Sequence, residues 1–339
     1  MTATGFAHHG GRLGAARVTY SEAPQPWIDL STGINPSSYP APRARGPVLN
    51  RLPDTGELAR LEAVAARAFG VPDPARVIAT GGTEPALRLL PYILRRKTAI
   101  VAGPTYGSHA DAWSRAGVPT RVVGDSDLEG SIADSTAVVV VNPNNPDGRL
   151  IGRERLRGLH DAVASRGGVL VVDEAFAEVA PESSVGDVAG GSGFEHLLVL
   201  RSFGKFYGLA GLRLGFVIGS PQPVADVRGA MGDWPVSVDA LAAGLAAYAD
   251  YGWAERTRVR LARSARRLDA LLGRHGFEVV GGTTLYRLVR AEDAPRRFER
   301  LARAGILTRP FQHDTTLLRF GLPGNAAAWR RLSDVLATF

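Results

Sequence analysis

Apolar positions along the chain follow two rhythms. Four consecutive apolar residues stand at Val138-Val139-Val140-Val141, at Val169-Leu170-Val171-Val172 and at Leu197-Leu198-Val199-Leu200. Such runs fit strands buried on both faces of a parallel sheet. Shorter runs at 76–79, 98–102, 120–123 and 214–218 extend the set. Between the strands the spacing turns helical: Leu58, Leu61, Val64 and Ala68 follow the capping box Asp54-Thr55-Gly56-Glu57 and stop at Gly70. Further helices are predicted over 86–94, 108–116 and 153–165. This alternation predicts an α/β fold with a mostly parallel central sheet flanked by helices. After Pro235 two long helices, 238–251 and 254–275, lead into a strand–strand–helix–strand–helix order ending at Phe339, which reads as a smaller α+β domain. The Gly- and Pro-rich stretch 1–47 reads as an arm that belongs with the small domain and covers the site. The expected division is therefore 1–47, 48–235 and 236–339.

Composition narrows the picture. The chain has 339 residues, above the roughly 250–300 at which a single core usually divides. With 45% apolar and 22% charged residues it is not a mostly disordered chain. No apolar run approaches the roughly 18 residues of a membrane span, the first residues hold no apolar signal region, and cysteine is absent. Disulfides, thiolate metal sites and cysteine nucleophiles are thereby excluded, no metal is expected, and a soluble cytoplasmic protein with no membrane partner is the expectation. The net charge of +7 comes from 38 arginines and only two lysines, Lys97 and Lys205. Arg256, Arg260, Arg263, Arg267 and Arg274 recur at helical spacing beside Leu261, Leu268 and Leu271, the pattern of a solvated helix face. No nucleic-acid recognition motif accompanies them, and no such partner is expected.

Four stretches stand at the carboxyl ends of predicted strands, where open α/β sheets bind ligands. Gly81-Gly82-Thr83-Glu84 opens a helix and is either an ordinary turn or a phosphate site. Asn142-Pro143-Asn144-Asn145-Pro146-Asp147-Gly148 is a tight turn whose amides also suit a ligand hydroxyl. Asp173-Glu174-Ala175-Phe176 ends a buried strand with a carboxylate, which must either cap a helix or find a partner such as a protonated ring nitrogen. Arg201-Ser202-Phe203-Gly204-Lys205 leads on to Arg213-Leu214-Gly215. Ser202 and Arg213 suit a dianion there, and Lys205 supplies an amine whose pKa shifts readily on desolvation.

In this order, each at a strand end, the motifs resemble the fold-type I enzymes that use pyridoxal 5′-phosphate (PLP), in their aminotransferase-like branch, and the resemblance covers nearly the whole chain. It implies that Lys205 forms the Schiff base with PLP and that Asp173 faces the pyridine nitrogen. It further implies that Asn145 bonds the phenolic oxygen, that Tyr106 stacks on the ring, and that Gly82, Thr83, Ser202 and Arg213 cradle the phosphate. Arg319, in Leu318-Arg319-Phe320-Gly321, matches the arginine that clamps the substrate carboxylate.

Within that branch His9-Gly10-Gly11, the stretch Ile28-Asp29-Leu30-Ser31-Thr32-Gly33-Ile34-Asn35-Pro36, Phe176 where a tyrosine is common, and Trp234-Pro235-Val236-Ser237-Val238 are similar to the threonine-phosphate decarboxylases of the cobalamin pathway. That resemblance implies decarboxylation of L-threonine O-3-phosphate to (R)-1-amino-2-propanol O-2-phosphate, with Arg319 setting the Cα–carboxylate bond perpendicular to the ring. His9 and Asn35, with Asn145, are the further candidates for holding the substrate, and His8 is an adjacent one. The histidinol-phosphate aminotransferases share every cofactor residue and are the alternative. A homodimer is implied as well, although Leu52-Pro53 replaces the Tyr-Pro-Asp whose tyrosine reaches the neighbouring subunit's PLP phosphate. Phe176 removes one donor to the phenolic oxygen. Phe176→Tyr is therefore expected to lower the pH midpoint of the bound cofactor's absorbance change in a spectrophotometric titration, and an unmoved midpoint would refute that role.

Overall fold

The computed structural model describes residues 3–6 and 9–339. The chain forms two compact units. The smaller holds the described residues up to Ser38 with Pro146–Gly148 and Ala254–Phe339, and the larger holds Tyr39–Asn145 and Arg149–Trp253. In the smaller unit the chain begins with α1 (Leu13–Thr19) and β1 (Ile28–Asp29). The larger unit then runs α2 (Thr55–Phe69), β2 (Val77–Thr80), α3 (Thr83–Leu94), β3 (Thr98–Ala102), α4 (Ser108–Arg115), β4 (Thr120–Val123), β5 (Thr136–Val141), α5 (Arg153–Ala164), β6 (Val169–Glu174), β7 (Leu197–Ser202), α6 (Phe203–Phe206), β8 (Gly215–Ile218), α7 (Pro221–Met231) and α8 (Val238–Ala249).

These strands form one sheet in the order β2-β8-β7-β6-β5-β3-β4. β8 runs antiparallel to both its neighbours, and the remaining adjacent pairs are parallel. β5, β6 and β7 are buried along their whole length, as their unbroken apolar runs predict. The expected cap of α2 is present, with Asp54 Oδ1 accepting from the Gly56 and Glu57 amides at 2.8 and 3.0 Å. No helix among the described residues is long and apolar enough to cross a membrane.

At the carboxyl ends of β6 and β7 the central sheet holds buried charge. Glu174 and Arg201 are register partners across the two strands, and Arg201 Nη1 donates to Glu174 Oε2 at 3.0 Å. Its other branch, Nη2, donates to Glu178 Oε1 at 2.8 Å, and the guanidinium lies 4.5 Å from the Phe69 ring centroid. Glu174 also accepts from the Ser184 hydroxyl and from the Val185 amide. Burial, opposed by Arg201 and these hydrogen bonds, pushes the Glu174 carboxyl above the usual carboxylate range.

The units divide at 38/39 and 253/254, rather than at 47/48 and 235/236. Aromatic and helical packing places both boundaries. Tyr39 meets the Trp253 ring edge-on at 5.2 Å, and Trp253 stacks on Tyr207 at 5.5 Å. α8 lies close on α2, because Gly244 has no side chain: a Cβ there would stand 2.6 Å from Leu61 Cδ1 and 2.9 Å from Leu214 Cδ2. The apolar helix that sequence rhythm grants to the small domain is thus a layer of the large one.

The smaller unit continues with α9 (Tyr251–Arg274), β9 (Glu278–Thr283), β10 (Tyr286–Arg290), α10 (Ala294–Arg303), β11 (Ile306–Leu307), β12 (Arg309–Pro310), β13 (Leu317–Gly321) and α11 (Ala326–Leu336). Four strands form an antiparallel sheet in the order β12-β13-β10-β9, and β1 pairs in parallel with β11, fastening the arm to this unit. On α9, Leu261, Leu268 and Leu271 are buried, while Arg256, Arg260, Arg263, Arg267 and Arg274 are exposed. Removing one partner from a buried ion pair costs about 3–5 kcal/mol. Arg201→Met should lower unfolding stability in guanidinium chloride by an amount of that order, whereas Arg115→Met on an exposed pair should change it little.

Candidate active site

The loop from β2 into α3 builds an anion-binding corner. Gly82 has φ 97°, and a Cβ there would stand 2.5 Å from Arg213 Nη2, so the Arg213 guanidinium lies directly over the glycine backbone. Arg213 itself sits in the left-handed region at φ 56° with Nη1 donating to the Ala210 carbonyl at 3.2 Å, a strained conformation typical of functional positions. Thr83 opens α3, whose first-turn N–H groups point out of the helix start. Thr80, Gly215 and Ser202 lie abreast across β2, β8 and β7. Ser202, also near this corner, makes no capping hydrogen bond from its hydroxyl to its own helix α6. A helix start, a guanidinium and a hydroxyl fit a phosphate dianion. Lys205 is half-buried on α6, three residues beyond Ser202.

Asp173, on the strand next to β7, is buried at the end of β6. Its Oδ2 stands 2.8 Å from Nε2 of the buried His109 on α4, and its Oδ1 accepts from the Ala175 amide at 3.0 Å. A carboxylate held this way fits a protonated ring nitrogen. The Tyr106 ring meets His109 edge-on at 6.1 Å, and its hydroxyl donates to Glu84 Oε2 at 3.0 Å. Burial first, with Glu84 beside it, pushes the Tyr106 phenol up to about 12, leaving it a neutral donor. Glu84 in turn binds Arg88, which reaches Asp111 at 3.0 Å.

The asparagine-rich turn after β5 divides its labour. Asn142 exchanges side-chain hydrogen bonds with the backbone of Ile151 at 3.0 and 2.8 Å, and its own amide donates to the Asp173 carbonyl at 2.8 Å. Asn144 donates to the Pro104 carbonyl at 3.0 Å and accepts from the Thr105 hydroxyl at 2.5 Å. Both build the scaffold on which Asn145, also buried, is presented. The eight expected cofactor residues Gly82, Thr83, Tyr106, Asn145, Asp173, Ser202, Lys205 and Arg213 all belong to the larger unit.

His9, Asn35 and Arg319 belong to the smaller unit. Arg319 is buried on β13, with Nη2 donating to the Ser31 carbonyl at 2.7 Å and its guanidinium 4.9 Å from the Tyr286 ring centroid. Its register partner on β12 is Arg309, also buried. Burial first and Arg309 second pull the Arg319 pKa down to about 9, and an anion beside the pair would favour the charged guanidinium. Asn35 accepts at Oδ1 from the Ser37 amide at 3.0 Å, forming an Asx turn. His8 lies outside the described residues. Sequence reading passed over His109 and Arg309, and gave Glu84 no role of its own. A histidine inside a helix carries no local mark, and Arg309 acquires its meaning only from its pairing with Arg319 across β12 and β13.

The chain belongs to the family of class I and II aminotransferases, whose model matches residues 26–334. It is 38% identical over 331 residues to a threonine-phosphate decarboxylase of Pseudomonas aeruginosa, covering 98% of this chain and 97% of that one. To a threonine-phosphate decarboxylase of Sinorhizobium sp. it is 39% identical over 334 residues, covering 97% of each chain. Its fold is similar to the crystal structure of histidinol-phosphate aminotransferase from Sinorhizobium meliloti in complex with pyridoxal-5′-phosphate, with a TM-score of 0.79, 21% identity and coverage of 96% and 94% of the two chains. Borohydride treatment of the protein loaded with PLP is expected to fix one adduct on the Lys205 peptide, detected by mass spectrometry. Lys205→Ala should lose it, and an adduct kept on Lys97 would overturn the assignment.

Proposed function

We propose that this protein decarboxylates L-threonine O-3-phosphate with PLP as cofactor, giving CO₂ and (R)-1-amino-2-propanol O-2-phosphate, the aminopropanol unit of corrinoid synthesis. The observation that carries this reading is the identity of 38% and 39% to two threonine-phosphate decarboxylases across nearly the whole of each chain. The residues of the site support it. PLP, when bound, supplies an electron sink conjugated with the substrate Cα.

Gly82, Thr83, Ser202 and Arg213 hold the cofactor phosphate, Asn145 bonds its phenolic oxygen and Tyr106 covers its ring face. Asp173, its carboxylate fixed by His109 and the Ala175 amide, holds the proton on the ring nitrogen. Lys205 Nζ would carry the cofactor and would return a proton to the substrate Cα after the carboxylate has left as CO₂. Arg319 binds that carboxylate. Arg309, its partner across β12 and β13, adds a second cation for the substrate phosphate, joined by His9 and Asn35 from the arm. Two anionic groups on one small substrate match two buried guanidiniums better than one anion would.

The protein acts as a cytoplasmic homodimer in this reading. The run through Val48, Leu49 and Leu52, exposed by 48%, 56% and 64%, supports a partner surface there. Incubating the protein with PLP and O-phospho-L-threonine, without any keto acid, is expected to release CO₂ and aminopropanol phosphate in equal amounts. If nothing forms, while histidinol phosphate plus 2-oxoglutarate yields glutamate, the decarboxylase reading is overturned in favour of an aminotransferase.

A further inference from the structure

Ser31 stands where three parts of the smaller unit meet. Its carbonyl oxygen accepts from Arg319 Nη2 at 2.7 Å. Its hydroxyl donates to Asp29 Oδ1 at 2.5 Å and accepts from the Gly11 amide at 2.7 Å. Its own amide donates to the same Asp29 oxygen at 2.8 Å. Ser31 is buried, 2% exposed, so these bonds form away from solvent and each lost partner is felt.

Backbone contacts hold the neighbouring residues just as closely. The Leu30 amide donates to the Leu307 carbonyl at 2.8 Å, and the Gly321 amide donates to the Leu30 carbonyl at 2.7 Å, two residues beyond Arg319 on β13. A Cβ on Gly10 would overlap the Ser31 carbonyl oxygen, so the arm at His9-Gly10-Gly11 presses its bare backbone against the group that receives Arg319. With its amide and hydroxyl both fastened to Asp29, and the hydroxyl also tied to Gly11, Ser31 has no freedom to turn its carbonyl away from the guanidinium.

We propose that Ser31 is a positioning residue for recognition of the substrate carboxylate, its amide and hydroxyl fastened to Asp29 so that its carbonyl aims the Arg319 fork. This rests on the decarboxylase reading for the identity of the substrate. The prediction is selective. Ligands with a carboxylate for Arg319 to grip depend on Ser31, and ligands without one do not.

The reaction product lacks the carboxylate and retains the phosphate and amine, which makes it the discriminating probe. In the PLP-loaded enzyme, Ser31→Ala is expected to raise KM for O-phospho-L-threonine about tenfold, the scale of one buried hydrogen bond. The affinity for aminopropanol phosphate, read from the change in cofactor absorbance, should stay within about twofold of wild type on the same scale. Ser31→Thr, which keeps the hydroxyl, should restore the substrate KM. Equal weakening of substrate and product in Ser31→Ala, or an unchanged KM, overturns the proposal. Should Ser31→Ala fail to fold by circular dichroism, Asp29→Ala, which removes the acceptor of both Ser31 bonds, carries the same comparison, with the same selective loss expected and the same two results against it. Failure of the decarboxylase reading shows separately, as absence of turnover by the wild-type protein. Ser31 is then judged from binding of O-phospho-L-threonine against aminopropanol phosphate alone.

Discussion

The ion pair between Glu174 and Arg201 sets the register on which the cofactor half of the site depends. Consecutive residues of a strand leave opposite faces of the sheet. Pinning Glu174 to Arg201 on one face therefore fixes where Asp173 and Ser202, their chain neighbours, emerge on the other. The pair is expensive to bury and is worth retaining only with its hydrogen bonds complete. Glu178, Ser184 and the Val185 amide supply partners to both Arg201 Nη atoms and both Glu174 oxygens. A slip of one residue between β6 and β7 would leave two charges stranded in the core and move the Asp173 carboxylate away from its place beside His109. The buried charge acts here as a gauge of alignment.

Much of the larger unit was legible along the chain because its signals are local. A run of valines reads as a doubly buried strand, and glycine beside threonine between a strand and a helix reads as a turn that also suits an anion. What escaped was long-range. His109 acquires meaning only from Asp173, 64 residues away. The Ser31 carbonyl meets Arg319 across 288 residues. The alanine-rich α8 has apolar residues on most of its surface, so its pattern does not say which neighbour it will join. Its fit to α2 turns on the missing side chain of Gly244 and the position of Leu61. By residue type alone Asn142 and Asn144 looked as suited to a ligand hydroxyl as Asn145, and the structure ties both into the turn itself.

The charge of the chain is divided unevenly. The smaller unit has 19 basic and 11 acidic residues, against 21 and 22 in the larger, so the whole surplus of +7 and one more lies on the smaller unit. Arg309 and Arg319 contribute two of those charges in buried positions, and the exposed face of α9 contributes five more. A doubly anionic amino acid would meet a field of the right sign before it met any specific contact, an influence on encounter that salt would weaken.

Arginine in place of lysine has a chemical side as well as an electrostatic one. Guanidinium groups stay protonated and do not condense with aldehydes at neutral pH, whereas the amine of a lysine does so readily. A protein surface normally offers dozens of such amines to a reactive aldehyde. Here the side chains offer two, the exposed Lys97 and the half-buried Lys205 on α6. Through its composition alone, the chain presents a carbonyl-bearing ligand with almost no wrong place to react.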